Sequence, residues 1–123
     1  MKAAVALFAF VLTGCATMPP VNAGPTAGLS EVAYTNGLKV RPLQVLEDSR
    51  CPINAVCVWA GRLVVRSEVI GGNWQQTRDF EIGKAQQIAD GALTLVSAQP
   101  SKQAGTEIDP QAYRFTFDFQ DGL

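Results

Sequence analysis

The rest of this chain is arranged around one stretch, Asp48-Ser49-Arg50-Cys51-Pro52-Ile53-Asn54-Ala55-Val56-Cys57-Val58-Trp59-Ala60-Gly61. Five residues separate its two cysteines, a gap that lets the backbone turn back and bring both sulfurs within bonding distance. A zinc site would need further ligands, and the chain holds three cysteines and no histidine. The spacing therefore favours a disulfide between Cys51 and Cys57 over a metal site or free thiols.

The run that leaves this loop, residues 58–70, alternates as a β-strand does. Leu63, Val65 and Val69 share one face, and charged side chains share the other. Trp59 lies near the start of the run, so we expect its ring in the core and its indole N–H satisfied at the rim. The pattern predicts a long strand that begins directly after the second cysteine.

Further strands follow, separated by glycine-containing turns. Gly71-Gly72 and Asp90-Gly91 are predicted hairpin turns. The clearest strand is Tyr113-Arg114-Phe115-Thr116-Phe117-Asp118-Phe119, which points four aromatic side chains one way. Core packing is the expected role of those rings, and a stacking platform for a ligand is the alternative. The predicted strands after residue 70 cover residues 74–82, 86–88, 92–98 and 113–119.

Upstream of the cysteine loop the sequence predicts a first hairpin. Asn36-Gly37 is a strong two-residue turn because both residues accept positive φ. It joins a short strand over residues 31–34 to a longer one over residues 38–46. The alternation changes phase at Pro42, which cannot donate a hydrogen bond to a neighbouring strand. We therefore expect a bulge or a sheet edge at that proline.

The pattern as a whole predicts an all-β domain of about seven short strands joined by tight turns. No segment shows the 3.6-residue period of an amphipathic helix. The expected fold is a small antiparallel β-sandwich, with a partly open barrel as the alternative.

The central stretch also resembles a family of small bacterial lipoproteins and secreted proteins. Such proteins carry a block similar to Asp48-Ser49-Arg50-Cys51-Pro52 followed, after a short gap, by Cys57-Val58-Trp59-Ala60-Gly61. The resemblance extends over the downstream strands to residue 119. It implies an exported all-β domain and carries no activity with it.

The amino-terminal sequence is typical of an export signal that ends in a lipid-attachment site. Lys2 supplies a positive start, and residues 3–12 are an uninterrupted apolar run, too short to span a bilayer. Leu12-Thr13-Gly14-Cys15 then looks like a bacterial lipobox, in which small side chains precede the cysteine that receives lipid. Cys15 is the predicted lipidation site. An ordinary secretory signal with a chance cysteine is the alternative.

The predicted parts are a lipoprotein signal peptide (1–14), a lipidated tether (15–28) and the β-sandwich domain (29–123). Residues 16–28 are uncharged and contain three prolines and two glycines, which favours an extended tether. Ala16 and Thr17 follow the lipid cysteine, whereas an Asp directly after it would favour the inner membrane in lipoproteins of this type. In a cell with two membranes the expected location is the outer membrane, facing the periplasm. The expected partners are the membrane, through the lipid anchor, and other envelope proteins.

The composition argues against several classes of function. The formal net charge is −1, with 10 basic and 11 acidic residues and no run of one sign, so nucleic-acid binding is not expected. Without histidine the chain lacks the commonest general base and metal ligand. No serine–base pair, phosphate loop or dense oxygen cluster stands out. We expect no enzyme activity, no cofactor and no metal.

Two functions remain, a non-catalytic structural or protein-binding domain and, as the alternative, a small-ligand-binding or secreted-enzyme-inhibitor module. Asp48, Arg50 and Trp59 form the candidate binding patch. A structural role is favoured over a patch, since Asp48 suits a turn, where its side chain bonds nearby backbone N–H groups, and Arg50 suits an ion pair or a contact with an aromatic face. An exposed patch or pocket around these residues and residues 101–111 would favour a binding module. A featureless polar surface there would favour a scaffold.

Overall fold

The computed structural model describes residues 25–122, which form eight β-strands and no α-helix. The predicted signal peptide and the tether up to residue 24, with Cys15, lie outside these described residues. The strands are β1 (Thr26–Ala27), β2 (Ala33–Thr35), β3 (Leu38–Asp48), β4 (Leu63–Ile70), β5 (Gln75–Glu81), β6 (Ala85–Ile88), β7 (Gly91–Gln99) and β8 (Arg114–Gln120). A single 3-10 turn, Pro110–Ala112, precedes β8.

The strands form two four-stranded antiparallel sheets, which confirms the predicted all-β class. One sheet has the order β1-β8-β7-β6 and the other the order β2-β3-β4-β5. The sheets are not closed into a barrel, so the described chain is a small β-sandwich rather than the alternative fold. Because most connected strands are neighbours in a sheet, short turns suffice for most of the connections.

The core lies between the two sheets and is built by the alternating residues of the central strands. Leu63, Val65 and Val69 of β4 are fully buried, as their shared face predicts. The aromatic side chains of the last predicted strand are also buried, and Phe117 meets Phe80 of the other sheet edge-to-face, with ring centroids 5.8 Å apart. Those aromatics are therefore core residues and not a ligand platform.

The hairpin turns follow the predicted positions with two differences. Asn36 and Gly37 both take positive φ, 44° and 84°, as a tight two-residue hairpin requires. The third turn consists of Ala89 and Asp90, and Gly91 already belongs to β7. Gly91 is needed because a Cβ there would collide with the Gln120 carbonyl of β8, and not because it takes a turn conformation.

The second turn is longer than predicted, because residues 71–74 together connect β4 to β5. The Gly71 N–H donates to the Trp74 carbonyl at 2.9 Å, and the indole ring of Trp74 lies against Gly71. Trp74 therefore closes the turn instead of beginning the strand.

One strand was not expected, since β1 lies inside the segment predicted to be tether. Thr26 and Ala27 pair with Thr116 and Phe115 of β8, and Ala27 is buried. Two residues are too few to show an alternation that predicts a strand. They form one because they pair with the backbone of β8. The folded domain therefore begins before residue 29.

Pro42 does mark a bulge, as its position in the phase change predicts. The register between β3 and β4 shifts between Pro42 and Gln44 and again between Val45 and Glu47. Pro42 stays in phase with the buried Val40, and the extra residue, Leu43, points to solvent. β2 pairs with β3 only as far as Val40, so β2 does not lie beside the rest of β3. The two bulges lie in this part of β3 and interrupt an otherwise open sheet edge.

Ser67 is a polar residue in the core, and its removal should stabilise the protein. Its side chain is fully buried, and within residues 25–122 its hydroxyl has no hydrogen-bond partner. Since an unsatisfied buried hydroxyl costs about 1–3 kcal/mol, Ser67→Ala should raise the free energy of unfolding by about 1 kcal/mol in guanidinium titrations. The control is Ser101→Ala at an exposed position, expected within about 0.5 kcal/mol of the wild type. A loss of stability in Ser67→Ala would contradict this view of the core.

Candidate functional site

The two long connections of the sandwich lie together at one end of it. Residues 49–62 join β3 to β4, and residues 100–113 join β7 to β8. We call this end the loop end, and residues 49–62 the disulfide loop. The Ile53 N–H donates to the Lys102 carbonyl at 2.9 Å, and the Ala104 N–H donates to the Asn54 side-chain oxygen at 2.8 Å. These hydrogen bonds join the two connections into one surface.

Asp48 is the residue that anchors the disulfide loop to the sandwich. Its carboxylate accepts two hydrogen bonds from the Arg50 guanidinium, at 2.8 and 2.9 Å, and one from the Tyr113 hydroxyl, at 2.7 Å. The Asp48 side chain is 9% exposed and that of Arg50 18%. Arg50 also donates to the carbonyls of Ala98 and Pro100, at 3.3 and 3.2 Å. One carboxylate and one guanidinium therefore hold together β3, the end of β7 and both ends of the connection from β7 to β8.

The surroundings of this cluster shift the pKa of its members in the directions expected of a structural ion pair. Burial on its own raises the pKa of Asp48, but the hydrogen bonds from Arg50 and Tyr113, together with the Arg50 charge, outweigh it and hold that pKa below its usual value. Burial, the hydrogen bond to Asp48 and the Asp48 charge raise the pKa of Tyr113 to about 12. The carboxylate is therefore charged and the phenol neutral at neutral pH.

Asp48 and Arg50, two members of the candidate patch, thus satisfy each other's charge. Most of their polar atoms already have partners within the protein, so the pair fits a turn and an ion pair better than a surface that recognises a ligand. Residues 49 and 62 close the base of the loop, since Ser49 N–H donates to the Arg62 carbonyl at 2.8 Å and Arg62 N–H donates to the Ser49 hydroxyl at 3.0 Å.

Trp59, the third member, is not in the core, and the prediction for it is wrong. Its side chain is 57% exposed, and its indole N–H donates to the Ser49 carbonyl at 3.2 Å. The strand predicted over residues 58–70 begins only at Leu63. Gly61 takes a positive φ of 66° and lies so close to the Ser49 carbonyl that a Cβ there would collide with it. That turn diverts residues 58–60 away from the sheet and leaves the indole ring in solvent.

Cys51 and Cys57 lie at disulfide-bonding distance, with their Cα atoms 5.9 Å apart. Between and beside them the loop presents its apolar side chains outward. Val56 and Val58 are fully exposed, and Ile53 is 67% exposed. The residues from 53 to 60 carry no charge. We call the four large exposed side chains of this loop the apex residues, namely Ile53, Val56, Val58 and Trp59.

A cavity of about 390 Å³ opens beside the disulfide loop. Lys102 reaches into it and donates from Nζ to the Asp48 backbone carbonyl at 2.7 Å. An adjoining cavity of about 300 Å³ is formed almost wholly by residues 100–112. The residues that line the first cavity are Asp48, Lys102, Thr106, Glu107, Ile108, Pro110 and Tyr113.

Two further features of the described chain bear on its chemistry. Within residues 25–122 no group of three or more acidic or cysteine side chains is placed to hold a metal ion. The same part of the chain contains no helix long and apolar enough to cross a bilayer.

Loss of the Cys51–Cys57 bond should lower stability without abolishing folding. In the chain-entropy model a loop this short contributes about 2 kcal/mol. The core residues lie on strands outside the loop, so a Cys51→Ala/Cys57→Ala variant should fold and melt about 5–10 °C lower than the wild type. Thiol labelling of the denatured, non-reduced protein is the companion measurement, and neither cysteine should react. An unchanged melting midpoint would show that the bond does not stabilise the fold.

Sequence reasoning missed the contacts made by Lys102 and Tyr113. Both residues are more than fifty positions from Asp48 and carry no local motif that could link them to it. Three separate comparisons, with family models, with curated proteins and with solved structures, found no match to this chain.

Proposed function

We propose that this chain is a lipid-anchored protein of the bacterial cell envelope whose β-sandwich binds another protein through its loop end, without catalysis. The observation that carries the proposal is the exposure of the four apex residues on a loop that is closed and braced. Large apolar side chains grouped in solvent mark interaction surfaces, because their burial against a partner is favourable.

The bracing of the loop supports binding rather than a passive surface. Hydrogen bonds between Ser49 and Arg62 close the base of the loop, and the Cys51–Cys57 pair closes its middle. The hydrogen bonds from Ile53 to Lys102 and from Ala104 to Asn54 join its side to residues 100–113. A loop already fixed in one conformation loses little entropy when a partner covers it. The exposed apolar group and the neighbouring cavity also favour a binding module over a scaffold, for which we expect a featureless polar surface.

A non-catalytic role is supported by how the charged groups at this end are used. Asp48 and Arg50 are engaged with each other, and the Tyr113 hydroxyl donates to the same carboxylate. A general base has to be free to accept a proton from a substrate. This carboxylate already accepts three side-chain hydrogen bonds and has a lowered pKa, which fits an anchoring role.

The envelope location rests on Leu12-Thr13-Gly14-Cys15 and on the cysteine pair, since disulfides persist in exported compartments.

Site-specific photocrosslinking in the producing cells tests the binding proposal. A benzophenone amino acid at Ala55, which is exposed between the apex residues, should give one discrete adduct with a second protein. The same probe at Thr77, exposed on β5, is the control and should give none. Equal or absent adducts at the two positions would contradict a binding surface at the loop end.

The anchor is tested separately by mass spectrometry of the mature protein. We expect an acylated amino-terminal Cys15, and we expect Cys15→Ser to move the protein from the membrane fraction to the soluble fraction. A soluble wild-type protein cleaved at another position would overturn the anchor.

A further inference from the structure

We propose that Lys102 recognises a carboxylate of the protein partner, and that this partner presents an apolar segment with an acidic side chain or a carboxyl terminus close to it. The inference rests on the proposed function and names the chemistry of the partner. It places two kinds of recognition side by side, apolar contact at the apex residues and charge pairing at Lys102.

Lys102 lies next to the apolar part of the disulfide loop. Its backbone carbonyl accepts the hydrogen bond from Ile53, which is one of the apex residues. Its side chain is partly buried and points toward Asp48, and Nζ donates a hydrogen bond to the Asp48 backbone carbonyl at 2.7 Å. The Lys102 backbone thus lies against the disulfide loop, and its ammonium group lies in the cavity beside Asp48, the residue that precedes the same loop.

The Lys102 charge is not neutralised within the described chain. Among residues 25–122 no carboxylate oxygen lies within 4.0 Å of its Nζ, whereas five other pairs meet that criterion. The nearby Asp48 carboxylate is committed to Arg50 and Tyr113. An ammonium group has three N–H donors, and among residues 25–122 the Asp48 carbonyl is the single acceptor bonded to Lys102 Nζ. Two donors are therefore available to an incoming group.

The cavity around Lys102 favours an anionic group that arrives with apolar neighbours. Ile108, Pro110 and Tyr113 supply apolar walls, and a charge pair formed against apolar walls is stronger than one formed in open water. Glu107 also lines the cavity, is exposed and makes no ion pair in the described chain. Its charge opposes an incoming carboxylate, so its neutralisation should tighten binding. Removal of the Lys102 charge should therefore weaken binding of the partner, and removal of the Glu107 charge should strengthen it.

Photocrosslinking from Ala55 in variants of the full chain tests the inference. Relative to the wild type, Lys102→Met should lower the adduct yield about fivefold to tenfold, Lys102→Arg should retain most of it, and Glu107→Gln should raise it. Higher salt should lower the wild-type yield and have little effect on Lys102→Met, because salt screens a charge pair and not an apolar contact. A purely structural role of Lys102 would not produce this salt dependence.

The outcomes separate this inference from the proposed function. No wild-type adduct at Ala55 would refute the binding surface itself. An adduct whose yield is the same in Lys102→Met, in a variant with an unchanged melting midpoint, would refute the role of Lys102 and leave the surface intact. Mass spectrometric sequencing of the adduct gives the last distinction. An acidic residue or carboxyl terminus within a few positions of the crosslink is expected, and a segment without one, or a lipid adduct, would overturn the inference.

Discussion

Phe117→Ala should lower the free energy of unfolding by about 3–5 kcal/mol, the usual loss for a buried phenylalanine. Phe117 is fully buried on the central strand β8 and packs edge-to-face on Phe80 of the opposite sheet. Its removal leaves a cavity between the two sheets, and the loss of packing contacts around that cavity adds to the loss of buried apolar area. In a domain whose whole stability is of the order of 5–15 kcal/mol, the variant should be partly unfolded at 37 °C.

Guanidinium unfolding followed by circular dichroism measures this effect. The control is Val96→Ala on the neighbouring strand β7, where the side chain is 45% exposed and the expected loss is below about 1 kcal/mol. A loss in Phe117→Ala no greater than that of the control would mean that the two sheets do not pack on each other through this ring.

Asp48→Ala should lower the free energy of unfolding by about 2–3 kcal/mol at pH 7, because hydrogen bonds to a charged group are the stronger ones and the partly buried Arg50 loses its counter-charge. The matched control is Asp79→Ala. Asp79 makes a similar two-point contact with Arg66, but both side chains are nearly half exposed and solvent screens the pair, so the expected loss is clearly smaller than for Asp48→Ala. Equal effects of the two substitutions would contradict the anchoring role of Asp48.

The Asp48 contribution should also depend on pH in a defined direction. The pKa of Asp48 is lowered in the folded protein from its ordinary value of 3.8. A lowered pKa means that the stabilisation is fully present above pH 3.8 and is lost as the pH falls through the lower, folded-state value. The difference between the wild type and Asp48→Ala should therefore be constant near neutral pH and shrink in acid. A difference that grows in acid would contradict the ion pair.

The strands and the core could be predicted from the sequence because they depend on local alternation. The β8 pattern places its aromatic side chains on one face, and Asn36-Gly37 has the φ preferences of its turn. The run after Cys57 shows where this reasoning fails. Trp59 is apolar and in phase with the buried face of β4, yet Gly61 and the Ser49 carbonyl divert it into solvent. Periodicity cannot distinguish a strand from an apolar loop that a distant contact holds open.

The candidate site could be located in part. The sequence indicates the cysteine pair and the turn chemistry of Asp48, since both are local features. It does not indicate the contacts of Asp48 with Tyr113 and Lys102, because these depend on the pairing of β7 with β8 at the loop end. The sequence also does not indicate β1, because its two residues form a strand through pairing with β8 and show no strand pattern of their own.

The central claim is that the apex residues serve binding and not folding. The most direct test is a Val56→Ser/Val58→Ser variant that carries the benzophenone probe at Ala55, compared with the probe in the wild-type loop. Both valines are fully exposed, so we expect the melting midpoint to change little while the protein adduct is lost. An adduct of undiminished yield, or a large fall in the melting midpoint, would contradict the claim.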